Sequence, residues 1–205
     1  MSLLTESDKA KVRAAIEQVE RRTRGEFITV IAKASDDYFY IPSLWAALIA
    51  LLIPSAILTA GTWMGSWSLY AIQLFAFVVL LALFRIPAIK HRLVPVKIRQ
   101  LRASRVAREQ FFIQGLQNTE ERTGILLFVS IAEHYVEIIA DKGINDVVPN
   151  GTWDNIVNNF VSRVKSGQYT EGFITAIETC GNMLEEHFPG QENDTNELPD
   201  RLIEL

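Results

Sequence analysis

Two small groups of carboxylate and hydroxyl side chains are the residues of this chain that could do chemistry. Asp36 and Asp37 follow one short apolar segment. Ser130 and Glu133 follow another. If the two segments are parallel neighbouring strands, all four side chains lie at the carboxyl edge of one sheet, where open α/β sheets commonly bind ligands. Hard oxygen ligands there suit calcium or magnesium, so Asp36, Asp37 and Glu133 are the candidate metal ligands. The alternative is that they are polar loop residues that keep the strand ends hydrated.

A second acidic group lies near the C-terminus and comprises Asp194, Asn196, Glu197 and Asp200. Its members offer oxygen ligands, but the group lacks the glycine and the terminal bidentate glutamate of an EF-hand loop at the required spacing. We therefore interpret residues 191–205 as an acidic C-terminal tail that docks elsewhere, rather than as a calcium site.

The motifs of well-characterised catalytic sites do not occur in the sequence. There is no GxSxG, Walker loop, GxGxxG, HExxH or paired CxxC, the patterns that mark nucleophile elbows, phosphate loops, dinucleotide sites and metal sites. The single cysteine, Cys180, falls on the apolar face of a helical segment and is predicted to be a packed core thiol. We predict no catalytic histidine and assign no catalytic residue.

These residues are organised around a segment at 38–84 that contains no Asp, Glu, Lys, Arg or His. A bilayer core about 30 Å thick requires roughly 20 apolar residues per helix, so the segment is long enough for two spans. The sequence GTWMGSW at 61–67 provides a turn with two interfacial tryptophans. We predict a transmembrane helical hairpin at 38–85, with helices at about Ile41–Thr62 and Ser66–Phe84. The alternative is the buried core of a soluble domain, which so small a chain could hardly cover.

The charges that flank the hairpin predict its orientation. Eight Lys and Arg and no acidic residue lie between Arg85 and Arg108. A basic stretch beside a membrane span is typical of a cytoplasmic, lipid-facing segment and not of nucleic-acid binding. We therefore expect a multi-pass protein of the cell inner membrane, without a signal peptide and with both termini in the cytoplasm. Membrane lipids are expected partners of the hairpin and of an interfacial segment at 86–95.

The remaining segments predict one α/β domain that is split by the hairpin. A first helix opens with the capping residues Thr5 and Asp8, closes at Gly25, and is followed by a buried strand. After the hairpin, a long helix closes at a second glycine and is followed by a second buried strand and an antiparallel third. Two parallel strands joined by a crossover are expected, with amphipathic helices covering the sheet. Residues 1–37 and 96–190 should therefore fold together.

The domain resembles the TPM-domain membrane proteins of bacteria. The residues that carry the resemblance are RTGILLFVSIAEHYVEIIADKGI, Trp153, GQYTEGFITAIETCG, HFP…NELPD and the N-terminal LTESD…EQVERRTRGEFITV. The resemblance implies a three-layer α/β/α domain with a small mixed sheet. Some TPM domains are described as acid phosphatases or calcium binders, and others as auxiliary factors for membrane complexes such as photosystem II or a receptor. Bacterial members are often encoded beside a LemA-type membrane protein.

The sequence therefore predicts an α/β TPM-like domain that is interrupted by a two-helix transmembrane hairpin. The expected function is that of a non-enzymatic accessory, assembly or interaction factor for a membrane protein complex, with a LemA-type protein as a candidate partner. The alternative is a weak metal-dependent acid phosphatase. The chain differs from secreted members in lacking the Asp-rich segment that precedes the first helix in many of them, which weakens the transfer of metal binding or phosphatase activity, and the missing catalytic motifs favour the accessory role.

Overall fold

The computed structural model describes residues 4–190 and 201–205, apart from the side chains at 87, 88, 91 and 201. The chain divides into two compact units. One comprises Met1–Ser35 and Arg102–Leu205, and is called the α/β unit below. The other comprises Asp36–Leu101, and is called the hairpin unit. The α/β unit is thus assembled from both ends of the sequence around a continuous insertion.

Eight helices and four strands make up the described part of the chain. The helices are α1 (Glu6–Glu20), α2 (Tyr40–Thr59), α3 (Ser66–Phe84), α4 (Pro87–Leu93), α5 (Val96–Ile113), α6 (Lys142–Asn145), α7 (Thr152–Lys165) and α8 (Tyr169–His187), with a 3₁₀ turn at Leu116–Asn118. The strands are β1 (Glu26–Ala32), β2 (Gly124–Ser130), β3 (Tyr135–Ala140) and β4 (Arg201–Glu204). The division between the two units falls inside α5, after Leu101.

The four strands form one mixed sheet in the order β3-β2-β1-β4. β1 pairs in parallel with both β2 and β4, whereas β2 and β3 are antiparallel. Every residue of β1 and β2 is buried, as expected for central strands whose two faces are both covered. The predicted parallel pair and its antiparallel neighbour are therefore confirmed.

Alternate side chains of the central strands enter two separate cores. One core packs residues such as Phe27 and Ile125 against the helices α1, α7 and α8, which contribute Ile16, Phe160 and Phe173. The other core packs Ile28, Val30, Leu126 and Phe128 against Ala103, Ala107 and Phe111 of α5. Because side chains alternate across a strand, one buried sheet can serve both cores. The result is the predicted three-layer α/β/α arrangement.

The structure confirms the predicted start of α1 but not its predicted end. The capping box is confirmed, since the Asp8 N–H donates to the Thr5 hydroxyl at 3.2 Å and the Thr5 N–H donates to the Asp8 carboxylate at 3.1 Å. The assignment of Gly25 to the helix terminus is wrong, because α1 is already capped at Arg21. Gly25 instead allows close packing: a Cβ there would lie 2.6 Å from Cδ1 of Leu184.

β4 is an element that the sequence did not predict, because its residues were assigned to the acidic tail at 191–205. The last residues of the chain continue the sheet beside β1, with the Leu205 N–H donating to the Ile31 carbonyl and the Lys33 N–H donating to the Leu205 carbonyl, both at 2.9 Å. Leu202 is only 7% exposed. The strand is stabilised by burial of Leu202 and by pairing with β1, and the sequence of its four residues is too short to predict it.

Within the hairpin unit, α2 and α3 are long and apolar enough to cross a membrane. They contain 20 and 19 residues with mean hydropathies of 2.1 and 2.2. Only 22% and 6% of their most apolar stretches are buried, whereas a core helix of a soluble protein is mostly buried. The exposure of these helices therefore favours the hairpin over the soluble-core alternative. The predicted bounds of α3 are confirmed, and α2 ends at Thr59 rather than Thr62.

A small core closes the open end of the hairpin unit. Tyr38 is fully buried and packs with Ile41, Val94 and Ile98. Its backbone adopts a φ of 50°, an uncommon value for a bulky residue. The Asp36 carboxylate accepts the Tyr38 N–H at 2.8 Å. This hydrogen bond holds the turn that leads into α2.

Candidate functional site

A buried carboxylate, Glu133, connects the carboxyl ends of β1 and β2 in the α/β unit. The residue is only 4% exposed. Both of its oxygens lie 3.1 Å from the Ser35 backbone N–H, and one also accepts the Ser130 hydroxyl. The hydroxyl oxygens of Ser35 and Ser130 are 2.8 Å apart. Glu133 therefore bridges the residues that follow the two parallel strands.

The turn between β2 and β3 brings Glu133 to this position. Beyond the last residue of β2, the chain keeps pairing with the end of β1: the Ile131 N–H donates to Ala32 at 2.9 Å, and the Ala132 N–H donates to Lys33 at 3.1 Å. His134 then reverses the chain with a φ of 50°. Because the turn is pinned to β1, the Glu133 side chain reaches back over both strand ends.

The predicted metal ligands Asp36, Asp37 and Glu133 do not all belong to one unit. Glu133 lies in the α/β unit and the two aspartates in the hairpin unit. Asp36 is half-buried and Asp37 is exposed. Among residues 4–190 and 201–205, no group of three or more His, Cys, Asp or Glu side chains is arranged to hold a metal ion. A metal ligated by Glu133 would compete with the hydrogen bonds from Ser35 and Ser130, and the calcium or magnesium assignment stays a prediction.

The second acidic group and Cys180 are the other residues that the sequence singled out. Asp194, Asn196, Glu197 and Asp200 lie outside the residues that the structure describes. Cys180 is buried, as predicted. Burial raises the pKa of its thiol to about 12, and a thiol with so high a pKa is not a nucleophile near neutral pH. Cys180 is therefore a core residue on the buried face of α8.

A cleft beside β3 is a feature of the α/β unit that the sequence did not predict. It has a volume of about 360 Å³ and is lined by Arg108, Phe111, Phe112, Glu137, Ile138, Ile139, Ala140 and Asn145. The Glu137 carboxylate accepts the Tyr135 hydroxyl at 3.0 Å and the Ser104 hydroxyl at 3.3 Å. Burial is the main cause that raises the pKa of the Tyr135 phenol, which therefore remains a hydrogen-bond donor at neutral pH.

The surroundings of this cleft resemble a docking surface more than a catalytic pocket. β3 is the edge strand of the sheet and has β2 as its neighbour. At the C-terminal end of α5, Phe112 and Ile113 are 62% and 69% exposed. An open strand edge offers backbone hydrogen bonds to an added peptide segment, and exposed apolar side chains beside it supply burial. The sequence feature that could have indicated this surface is the run Phe111-Phe112-Ile113, because three consecutive apolar residues cannot all lie on one buried face of a helix.

Comparison with known proteins shows what the domain is similar to. Residues 91–183 match the sequence profile of the TPM domain. The fold is similar to the solution structure of the BA42 protein from the psychrophilic bacterium Bizionia argentinensis, with a TM-score of 0.62 and 20% sequence identity over 99% of this chain and 96% of that one. No curated protein matches the sequence.

The matched region corresponds to elements already placed in the structure. It contains α5, β2, β3, α6 and α7, together with most of α8. The same region supplies Glu133 and the cleft beside β3. Residues 91–183 therefore match a TPM domain, and the chain has an α/β fold with two further helices that could span a membrane.

Proposed function

We propose that this protein is a non-enzymatic accessory or assembly factor that binds a partner in a membrane protein complex. The observation that supports the proposal is the docking surface formed by β3, which is the edge strand of the described sheet, the exposed Phe112 in the cleft beside it, and the exposed Ile113 that follows Phe112 in α5. Apolar side chains that remain exposed beside an open strand edge are typical of interaction sites and favour aggregation if left uncovered. A LemA-type membrane protein, which the family resemblance implies, is the first partner to test.

The experiment that tests this function is capture of the tagged full-length protein from its own membranes in a gentle detergent. We expect one membrane protein to co-purify in stoichiometric amount, and a Phe112→Ser, Ile113→Ser variant to lose most of it, since each buried apolar side chain contributes roughly 1.5–3 kcal/mol. Val147→Ser is the matched control, because Val147 is also exposed, at 44%, but does not line the cleft. Equal recovery with both variants would remove the docking surface from the proposal.

The proposal also includes membrane insertion of α2 and α3, with both termini in the cytoplasm of an inner-membrane protein. It is supported by the basic residues that follow α3 and by the positive-inside bias. Because Cys180 is buried with a raised pKa, a Ser66→Cys variant should be labelled by a membrane-impermeant maleimide at position 66 alone. We expect labelling of intact cells from the outside. Labelling only after the cytoplasmic side is opened would reverse the orientation.

The second candidate function is a weak metal-dependent acid phosphatase that uses Asp36 and Asp37. It is supported by the exposure of Asp37, which leaves its carboxylate accessible to a cation and a phosphomonoester. The Asp37→Ala variant is the informative one, since Asp36 also holds the Tyr38 backbone. Steady hydrolysis of p-nitrophenyl phosphate in calcium or magnesium that disappears in Asp37→Ala, without loss of helicity by circular dichroism, would replace the accessory role by the enzymatic one.

A further inference from the structure

The open end of the hairpin contains a second cleft, in the hairpin unit alone. Its volume is about 480 Å³. The lining includes Phe39 and Ser43 from the start of α2, Leu81 and Arg85 from the end of α3, and Lys90 from α4. Apolar side chains and two cationic groups thus meet in one cavity at the ends of the two apolar helices.

The two cations of this cleft lie in a stretch of the sequence that contains no acidic residue. Arg85 lies with its guanidinium carbon 5.7 Å from the centre of the Phe39 ring. Within the described residues, neither Arg85 nor Lys90 forms an ion pair. No Asp or Glu occurs between Asp37 and Glu109. Two cations at a partly enclosed apolar site leave an uncompensated positive charge that favours an anionic ligand.

We propose that this cleft binds the headgroup of an anionic phospholipid. The inference rests on the proposed insertion of α2 and α3, which puts Arg85 and Lys90 at the level of the lipid phosphates. Arginine and lysine together can hold a phosphate through charge-assisted hydrogen bonds. Basic pockets beside transmembrane helices are known sites for anionic headgroups. Leu81, which lies one helical turn before Arg85, gives the cavity an apolar wall for the glycerol and upper acyl chains, as an amphiphile requires.

The test is native mass spectrometry of the full-length protein in a neutral detergent, with added phosphatidylglycerol or phosphatidylcholine. We expect one phosphatidylglycerol to be retained with an apparent Kd at least about tenfold below that of phosphatidylcholine, equivalent to about 1.4 kcal/mol. An Arg85→Gln, Lys90→Gln variant should lose this preference. The matched control is Arg13→Gln, Lys165→Gln, which makes the same charge change at two exposed positions of the α/β unit and should bind as the wild type does.

Three results would overturn the assignment. These are equal retention of the two lipids by the wild type, an unchanged preference in the Arg85→Gln, Lys90→Gln variant, and displacement of phosphatidylglycerol by an equal concentration of inorganic phosphate, which would indicate a general anion site. An Arg85→Lys variant that keeps the preference supports the role of charge. Alkaline extraction of membranes separates this inference from the proposed function: the double variant should remain in the membrane, whereas release of the wild type would refute insertion itself.

Discussion

Replacing residues 38–95 with a flexible Gly/Ser linker is expected to convert the protein into a soluble, folded α/β unit. Both cores that cover the sheet are built from residues before Ser35 and after Arg102. The linker must connect the end of β1 to the start of α5 so that β1 and β2 can still pair in parallel. The entropic cost of closing a flexible loop rises only slowly with length, by about 0.6 kcal/mol per doubling, so the pairing should tolerate the exchange.

The exposed surfaces of α2 and α3 explain why membrane association should be lost together with the hairpin. Large apolar side chains such as Leu51, Leu74 and Phe75 are 63%, 65% and 72% exposed. The free energy of leaving each of these side chains in water is roughly 1.5–3 kcal/mol. Removing the hairpin therefore removes most of the hydrophobic free energy that favours membrane association. The matched control carries the same linker in place of the turn at 61–67 and should stay in the membrane fraction.

Cell fractionation and circular dichroism decide this prediction. The linker variant should be found in the soluble fraction with the helix and strand content of the α/β unit, and a dispersed amide spectrum by NMR would show that its core is packed. If the linker variant were unstructured while the intact protein was folded, the two ends of the sequence would not form an independent unit.

Glu133→Ala is expected to lower the free energy of unfolding of the α/β unit by about 2–4 kcal/mol. The side chain is buried, and its removal leaves the Ser35 N–H and the Ser130 hydroxyl without their acceptor. Buried donors that lose a charged acceptor cost more than the net value of an ordinary hydrogen bond. The change also removes the side-chain link between the β2–β3 turn and Ser35, while the backbone hydrogen bonds of Ile131 and Ala132 remain. Urea denaturation of the soluble unit, or thermal unfolding of the full chain in detergent, measures the loss.

Two further variants make this result specific. Glu133→Gln keeps an acceptor oxygen and should recover part of the lost stability. Glu178→Ala removes an exposed carboxylate from α8 and should change the stability by no more than about 0.5 kcal/mol. A structural role is contradicted if the Glu133→Ala protein unfolds with unchanged free energy. The metal hypothesis predicts instead that the wild type gains stability from added calcium or magnesium and that the variant loses this gain.

Local sequence patterns were sufficient for the elements whose structure depends mainly on their own residues. The start of α3 follows from Gly65, which precedes its first residue, and its end follows from Arg85, where the charge-free run stops. The Thr5 capping box involves residues only three positions apart. β1 and β2 are continuous apolar segments, and complete burial between two helix layers is what such segments predict. In each case the determining interactions lie within a few residues or follow from burial alone.

The tertiary structure decided the features that depend on distant partners. β4 exists because four residues pair with β1 across more than 160 positions of sequence. Gly25 packs closely against Leu184 of α8 and does not lie at the end of α1. Such contacts leave no periodic pattern in the sequence, since β4 contributes only four residues and Gly25 a single one.

The candidate sites divide in the same way. The sequence by itself placed Ser130 and Glu133 at the carboxyl end of a strand and showed a basic segment after α3, because composition and the position of a residue relative to its own strand are local properties. Only the tertiary structure showed that Glu133 is occupied by Ser35 and Ser130. It also showed that Arg85 and Lys90 share one cavity. Hydrogen-bond partners and cavities are set by where the backbone brings separate segments together, and that depends on packing of the whole fold.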